Sequence, residues 1–106
     1  MPQTIDLAAR HLEAVRAILA AHVPQAEVWA FGSRVNGGAH DGSDLDLVLR
    51  NPEGLDQPIP GRTGLITAFQ ESMIPIFVEV HDWALLPAAF RTEIERSYLP
   101  IVPADD

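Results

Sequence analysis

A chain of 106 residues, 47% of them apolar, has material for one hydrophobic core but not two, and is too apolar for a disordered tail. The formal charge is −8 and all seven basic residues are arginine, so the basic stripe of a nucleic-acid binder is missing and no direct nucleic-acid contact is expected. With no cysteine, a disulfide scaffold, a thiolate nucleophile and a cysteine zinc site are excluded. The first sixteen residues mix acids and bases without a sustained apolar block, so no leader peptide is expected. No run is long enough to span a bilayer, and a cytoplasmic protein is the expectation.

In chain order, Ile5, Ala8, Leu12, Val15, Ile18 and Leu19 recur at three- and four-residue spacing. They predict an amphipathic helix over residues 5–22, with Thr4 as its cap, Asp6 in its first turn and Pro24 closing it. Residues 26–31, AEVWAF, are short, apolar and aromatic, and stop at Gly32, which reads as a strand. A brief helical turn over 33–37 and a polar loop over 38–43 follow. The next strand, 45–49, sets Leu45, Leu47 and Leu49 on one face and Asp46 and Val48, with Asp44 before them, on the other.

Three prolines and three glycines make 51–64 a loop, and Leu65, Ile66, Phe69 and Met73 mark a second longer helix. In the strand 76–81, Ile76, Val78 and Val80 share one face while Phe77, Glu79 and His81 share the other. Pro87 opens a last helix with Phe90, Ile94 and Tyr98 turned inward, and the tail from Tyr98 reads as extended and frayed at its end. The order helix, strand, strand, helix, strand, helix predicts an α/β (α+β) protein, a small mixed sheet with helices packed on it.

Asp44 and Asp46 lie roughly 6–7 Å apart along one strand face. At an effective dielectric of about 20 their repulsion is ~2–3 kcal/mol, so either water screens them or a cation joins them. Glu79, facing away from Ile76, Val78 and Val80, is a candidate third acid on the same patch. Three converging carboxylates suit Mg²⁺, which takes hard oxygen ligands and leaves room for water and phosphate. A pair of such ions can hold the attacking and leaving oxygens of a phosphoryl transfer. Upstream, Gly32 ends a strand and Ser33 opens a helical turn, so free N–H groups and a missing Cβ suit an approaching phosphate. The plainer readings are a solvated Asp-x-Asp turn, an ordinary outward glutamate and an N-cap serine.

Gly32-Ser33, nine residues, then Ser43-Asp44-Leu45-Asp46, with Gly37 between, resembles the signature of the polymerase beta-like nucleotidyltransferase superfamily. More narrowly the chain resembles the minimal nucleotidyltransferases, in which VEVHDW and the helix bearing Phe90 and Arg91 match the third-carboxylate strand and the terminal helix. The resemblance covers most of the chain. It implies a single minimal nucleotidyltransferase domain over 1–106, with 103–106 as a flexible tail. It implies that Gly32, Ser33, Arg34 and Ser43 serve the nucleotide, and that Asp44, Asp46 and Glu79 ligate Mg²⁺, two ions, with Glu79 also activating the acceptor hydroxyl. Glu79 stands where the family usually has aspartate, and Asn36 replaces a basic residue often found before the family's glycine.

Members of this kind are typically encoded beside a helical HEPN-type protein, a ribonuclease-class toxin, and act as its antitoxin by adenylylating a tyrosine. The resemblance therefore implies AMP transfer from ATP to a partner hydroxyl. Two alternatives stay open: a catalytically weak nucleotide-binding module that masks its partner, and transfer to a small molecule held by a separate subunit. Arg34 has an equal alternative as partner of Asp41 or Asp44. His40 and His81 are candidates for touching base or acceptor, with solvated or packing roles favoured, and Asp44, Asp46 and His81 lack a standard zinc spacing. Asp82 reads as a strand end, and Trp29 and Trp83 as core or interface rather than stacking platforms.

Overall fold

Leucines alternating with Asp46, Val48 and Arg50 require a strand with two unlike sides, and the computed structural model, which describes residues 5–103, shows both. Strand β2 (Leu45–Arg50) lies inside a four-stranded mixed sheet with β1 (Glu27–Phe31), β3 (Val78–Asp82) and β4 (Tyr98–Val102), in the order β3-β2-β1-β4. β1 pairs antiparallel with β2 and β4, whereas β2 and β3 run parallel. A parallel pair needs a crossover, and α3 (Arg62–Glu71) supplies it.

Leu45, Leu47, Leu49, Val28, Ala30, Val78, Val80 and Ile101 bury one face of the sheet. Against it pack Val15 and Leu19 of α1 (Ala9–His22) and Leu65 and Phe69 of α3. Fully burying each such leucine is worth roughly 1.5–3 kcal/mol. Most of the hydrophobic stabilisation therefore lies on this side, which leaves the other side open to chemistry.

The second face carries Trp29, Phe31 and Val48, covered in part by Trp83 and by Ile94 of α4 (Ala88–Arg96). The Arg50 guanidinium sits 3.7 Å from the Trp29 ring and 4.7 Å from that of Trp83, and its Nη1 donates to Glu27 at 2.9 Å. Tyr98 stacks on Trp29 with ring centroids 3.8 Å apart. Both tryptophans are thus core residues, as expected from the sequence, and their indole faces are taken by the protein itself.

Several expectations are corrected. The first helix starts at Ala9, not Ile5, because the preceding backbone is held elsewhere: Asp6 N–H donates to the Arg34 carbonyl at 2.7 Å. Asp6 is therefore not in a first helical turn, and Thr4 lies outside the described residues. Met73 falls beyond the end of α3 and is 96% exposed. The loop before α3 ends at Gly61, so Gly64 is helical. Phe90 is exposed along one side rather than turned fully inward, and Tyr98 belongs to a strand, not to the last helix.

That strand, β4, is the largest difference. The tail from Tyr98 pairs with β1 and closes one edge of the sheet, with Pro100 opposite Trp29 beside a register shift. Proline is tolerated at such an edge, where no further neighbour needs its N–H. Of the flexible tail expected over 103–106, residues 104–106 lie outside the described residues. Asp82 ends β3 as expected and does more: buried, it accepts Ile59 N–H at 2.7 Å and Ala84 N–H at 3.0 Å, tying the long loop to the start of the 3₁₀ turn Trp83–Leu85. No helix among the described residues is long and apolar enough to cross a membrane.

Candidate active site

The sheet register assembles the site. Phe31 of β1 lies opposite Asp46 of β2, and Asp46 lies opposite Glu79 of β3, so the three form a row across the second face. One step along, Val48 pairs with His81, which brings that imidazole to the same face as Glu79. Ligand atoms of Asp46, Glu79 and His81 all fall within 4.8 Å of one another, and each residue is partly accessible. His81 Nε2 is 3.5 Å from Glu79 Oε1, and its ring packs against Phe31 and Phe90 with centroids 5.7 and 5.5 Å away.

Burial pushes the Asp46 carboxyl up to about 6, reinforced by the charge and hydrogen bond of Glu79 and then by the charge of Asp44. The crowded negative charge of Asp46, Glu79 and Asp44 is what a bound divalent ion would relieve. The donor set of two carboxylates and one imidazole, half open to solvent, fits a divalent metal. Asp44 lies outside this close group: it is exposed, one residue before β2, and reaches Asp46 by charge.

Gly32 explains why the turn must approach the acid so closely. Its φ is 80°, and a Cβ there would fall against Asp46 Oδ2. Only glycine satisfies both conditions. It leads into α2 (Ser33–Asn36), a single helical turn stopped by Gly37 in the left-handed conformation at φ 93°. Ser33 therefore opens a turn directly beside the carboxylate row. Gly32→Ala is expected to lower stability by about 1–3 kcal/mol and to weaken divalent-ion binding by displacing Asp46. Thermal melts with and without Mg²⁺ check both effects.

Arg34 is placed differently from the expectation. It is 6% exposed, and its guanidinium is spent on carbonyls: Nε donates to Ser43 at 2.9 Å, Nη1 to Asp6 at 2.6 Å, and Nη2 to Asp41 at 3.1 Å and His40 at 3.4 Å. Neither the Asp41 nor the Asp44 carboxylate is its hydrogen-bond partner. Ser43 is likewise engaged, its Oγ accepting His40 N–H at 3.0 Å. Asn36 Oδ1 accepts Gly38 N–H at 3.1 Å, a loop-forming role in place of a phosphate contact. Arg34 and Ser43 thus shape the loop 38–43 that carries the chain from the glycine turn to Asp44.

Two parts of the site depend on more than local pattern. His81 shares a strand face with Glu79 through a spacing of two, but only the register of β3 with β2 brings it to Asp46. A cleft of about 320 Å³ between Phe31, Gly32, Asn36, Phe90 and Ile94 adjoins the glycine turn, and no local spacing reports it because β1 and α4 are distant in the chain. A second cleft, of about 250 Å³ and lined by Phe69, Ile74, Ile76 and Phe77, sits by Val78, whose side chain points into the helix-covered core and away from the acids.

A nucleotidyltransferase-type palm is what this sheet defines, with two acids opposed on its open face and a Gly-Ser turn at its edge. Residues 2–84 match the family model described as the central palm domain of mitochondrial-like poly(A) RNA polymerase. The chain is 42% identical over 97 residues to a Haemophilus influenzae (strain ATCC 51907 / DSM 11121 / KW20 / Rd) protein named "Probable protein adenylyltransferase MntA", covering 92% of this chain and 83% of that one. A solved structure, a toxin-antitoxin with AMP-PNP, superposes with a TM-score of 0.69 at 18% identity, over 89% of this chain and 74% of that chain, which supports the shared fold. The chain belongs to the MntA-like minimal nucleotidyltransferases of the polymerase beta-like superfamily.

Proposed function

We propose that this protein transfers AMP from ATP to a tyrosine hydroxyl of a HEPN-type partner and so acts as the antitoxin of a toxin-antitoxin pair. The observation that carries the reading is the Asp46–Glu79 pairing across parallel strands, open to solvent beside the Gly32-Ser33 turn. The relative's name, protein adenylyltransferase, and the toxin-antitoxin neighbour with AMP-PNP support the donor and the setting. The family model's name refers to RNA polymerases, but a charge of −8 without a basic stripe disfavours an RNA acceptor.

In this reading Asp46, Glu79 and Asp44 hold Mg²⁺, and the cation, when bound, neutralises the triphosphate and the charge that develops on it. The Ser33 turn receives phosphate oxygens, and the cleft between Phe31 and Phe90 receives the adenosine. The acceptor oxygen forms a bond to the α-phosphorus as the bond to the pyrophosphate oxygen breaks, and the hydroxyl proton passes to the Glu79 carboxylate. Positioning and charge neutralisation do most of the work in such transfers.

Incubation with the product of the neighbouring gene, ATP and Mg²⁺ is expected to raise that product's intact mass by one adenylyl group. An unchanged mass overturns the transfer. The exposed position of Asp44, outside the close metal group, favours a second reading in which the protein masks its partner without chemistry. Neutralisation that survives Asp44→Asn together with Asp46→Asn would select it.

A further inference from the structure

We infer that His81 is a metal ligand, and that the Asp46–Glu79–His81 site therefore takes a first-row transition cation in preference to Mg²⁺. The inference rests on the reading that these carboxylates hold a cation, but not on what group is transferred.

The imidazole is held where a ligand is needed. Phe31 and Phe90 flank its ring, so its freedom is restricted before any ion arrives. Its Nε2 points toward Glu79 Oε1, and one atom from each of the three side chains fits within 4.8 Å, close enough for a single ion to span all three. The close approach of Gly32 keeps the Asp46 carboxylate in place from the other side.

Mg²⁺ is hard, prefers oxygen and keeps much of its water, so an imidazole offers it little. Cations such as Mn²⁺, Co²⁺ and Zn²⁺ accept nitrogen and oxygen together, with affinity rising along that series. An oxygen-only pair of carboxylates already follows this order to a degree, and a nitrogen third donor widens the gap over Mg²⁺.

The test uses the full chain with metal alone, without nucleotide or partner. Mn²⁺ bound to the wild-type protein is expected to show nitrogen hyperfine modulation in its electron spin-echo spectrum. In His81→Gln that modulation is lost, Co²⁺ affinity measured by calorimetry falls by about 10- to 100-fold, and Mg²⁺ affinity changes by less than about threefold. A wild-type spectrum without nitrogen coupling overturns the inference whether or not the variant folds. So does an equal loss for Co²⁺ and Mg²⁺ in the variant. Failure of adenylyl transfer with nitrogen coupling present would leave this inference standing and remove only the proposed reaction.

Discussion

Asp46→Asn is expected to cut the proposed adenylyl transfer by about a thousandfold while making the metal-free protein more stable. The first effect follows from its central place in the row Phe31–Asp46–Glu79. The second follows from its carboxyl, pushed up to about 6 from 3.8 by burial, by Glu79 and by Asp44. Between those two values the folded chain holds a proton that the unfolded chain has released. Stability from this group is therefore full below about pH 4 and is lost as pH rises through 6. Solvent reaches the site, so the loss amounts to only about 1 kcal/mol.

Asparagine carries no such charge, and the variant should melt later than wild type at neutral pH in chelator, with less change in its midpoint between pH 4 and 7. Added Mg²⁺ should raise the wild-type midpoint and leave the variant unmoved. Melting curves across pH, with and without metal, check the signs. A variant that melts earlier than wild type in chelator at pH 7 would show that the acids are not under mutual strain.

Arg34→Ala is expected to cost about 3–5 kcal/mol, a large part of the roughly 5–15 kcal/mol that a domain possesses. The guanidinium joins the carbonyls of Asp6, His40, Asp41 and Ser43, and its own carbonyl receives Asp6 N–H. Its removal frees the segment before α1 and the loop 38–43 together. Arg34→Lys should recover only part of the loss, because an ammonium cannot reproduce the planar fork. Urea unfolding beside ATP titration separates this role from phosphate binding. A variant of wild-type stability that binds ATP weakly would return Arg34 to the nucleotide.

The two arginine outcomes available from sequence, triphosphate or a nearby aspartate, both assumed an accessible guanidinium. Local sequence offers no sign that Arg34 is buried, since its partners are main-chain oxygens whose positions depend on the path of the loop. His81 is the converse case. Its spacing from Glu79 was legible, but its meeting with Asp46 needed the parallel register of β2 and β3 across the α3 crossover. Strand β4 has the same origin: YLPIV reads as extended but contains a proline, and it becomes a strand only because β1 presents an unpaired edge.

What the residues determined by themselves was short-range and periodic. Alternation in LDLVLR and VEVHD set which side chains share a face, Gly32 required a backbone that other residues resist, and the spaced Gly-Ser and Asp-x-Asp motif pointed to the family. What only the tertiary structure decided was which faces meet and at what distance. A strand's hydrogen bonds leave it to register with distant strands, and that register, absent from any local pattern, sets Asp46 opposite Glu79, brings His81 within reach and buries Arg34 among carbonyls.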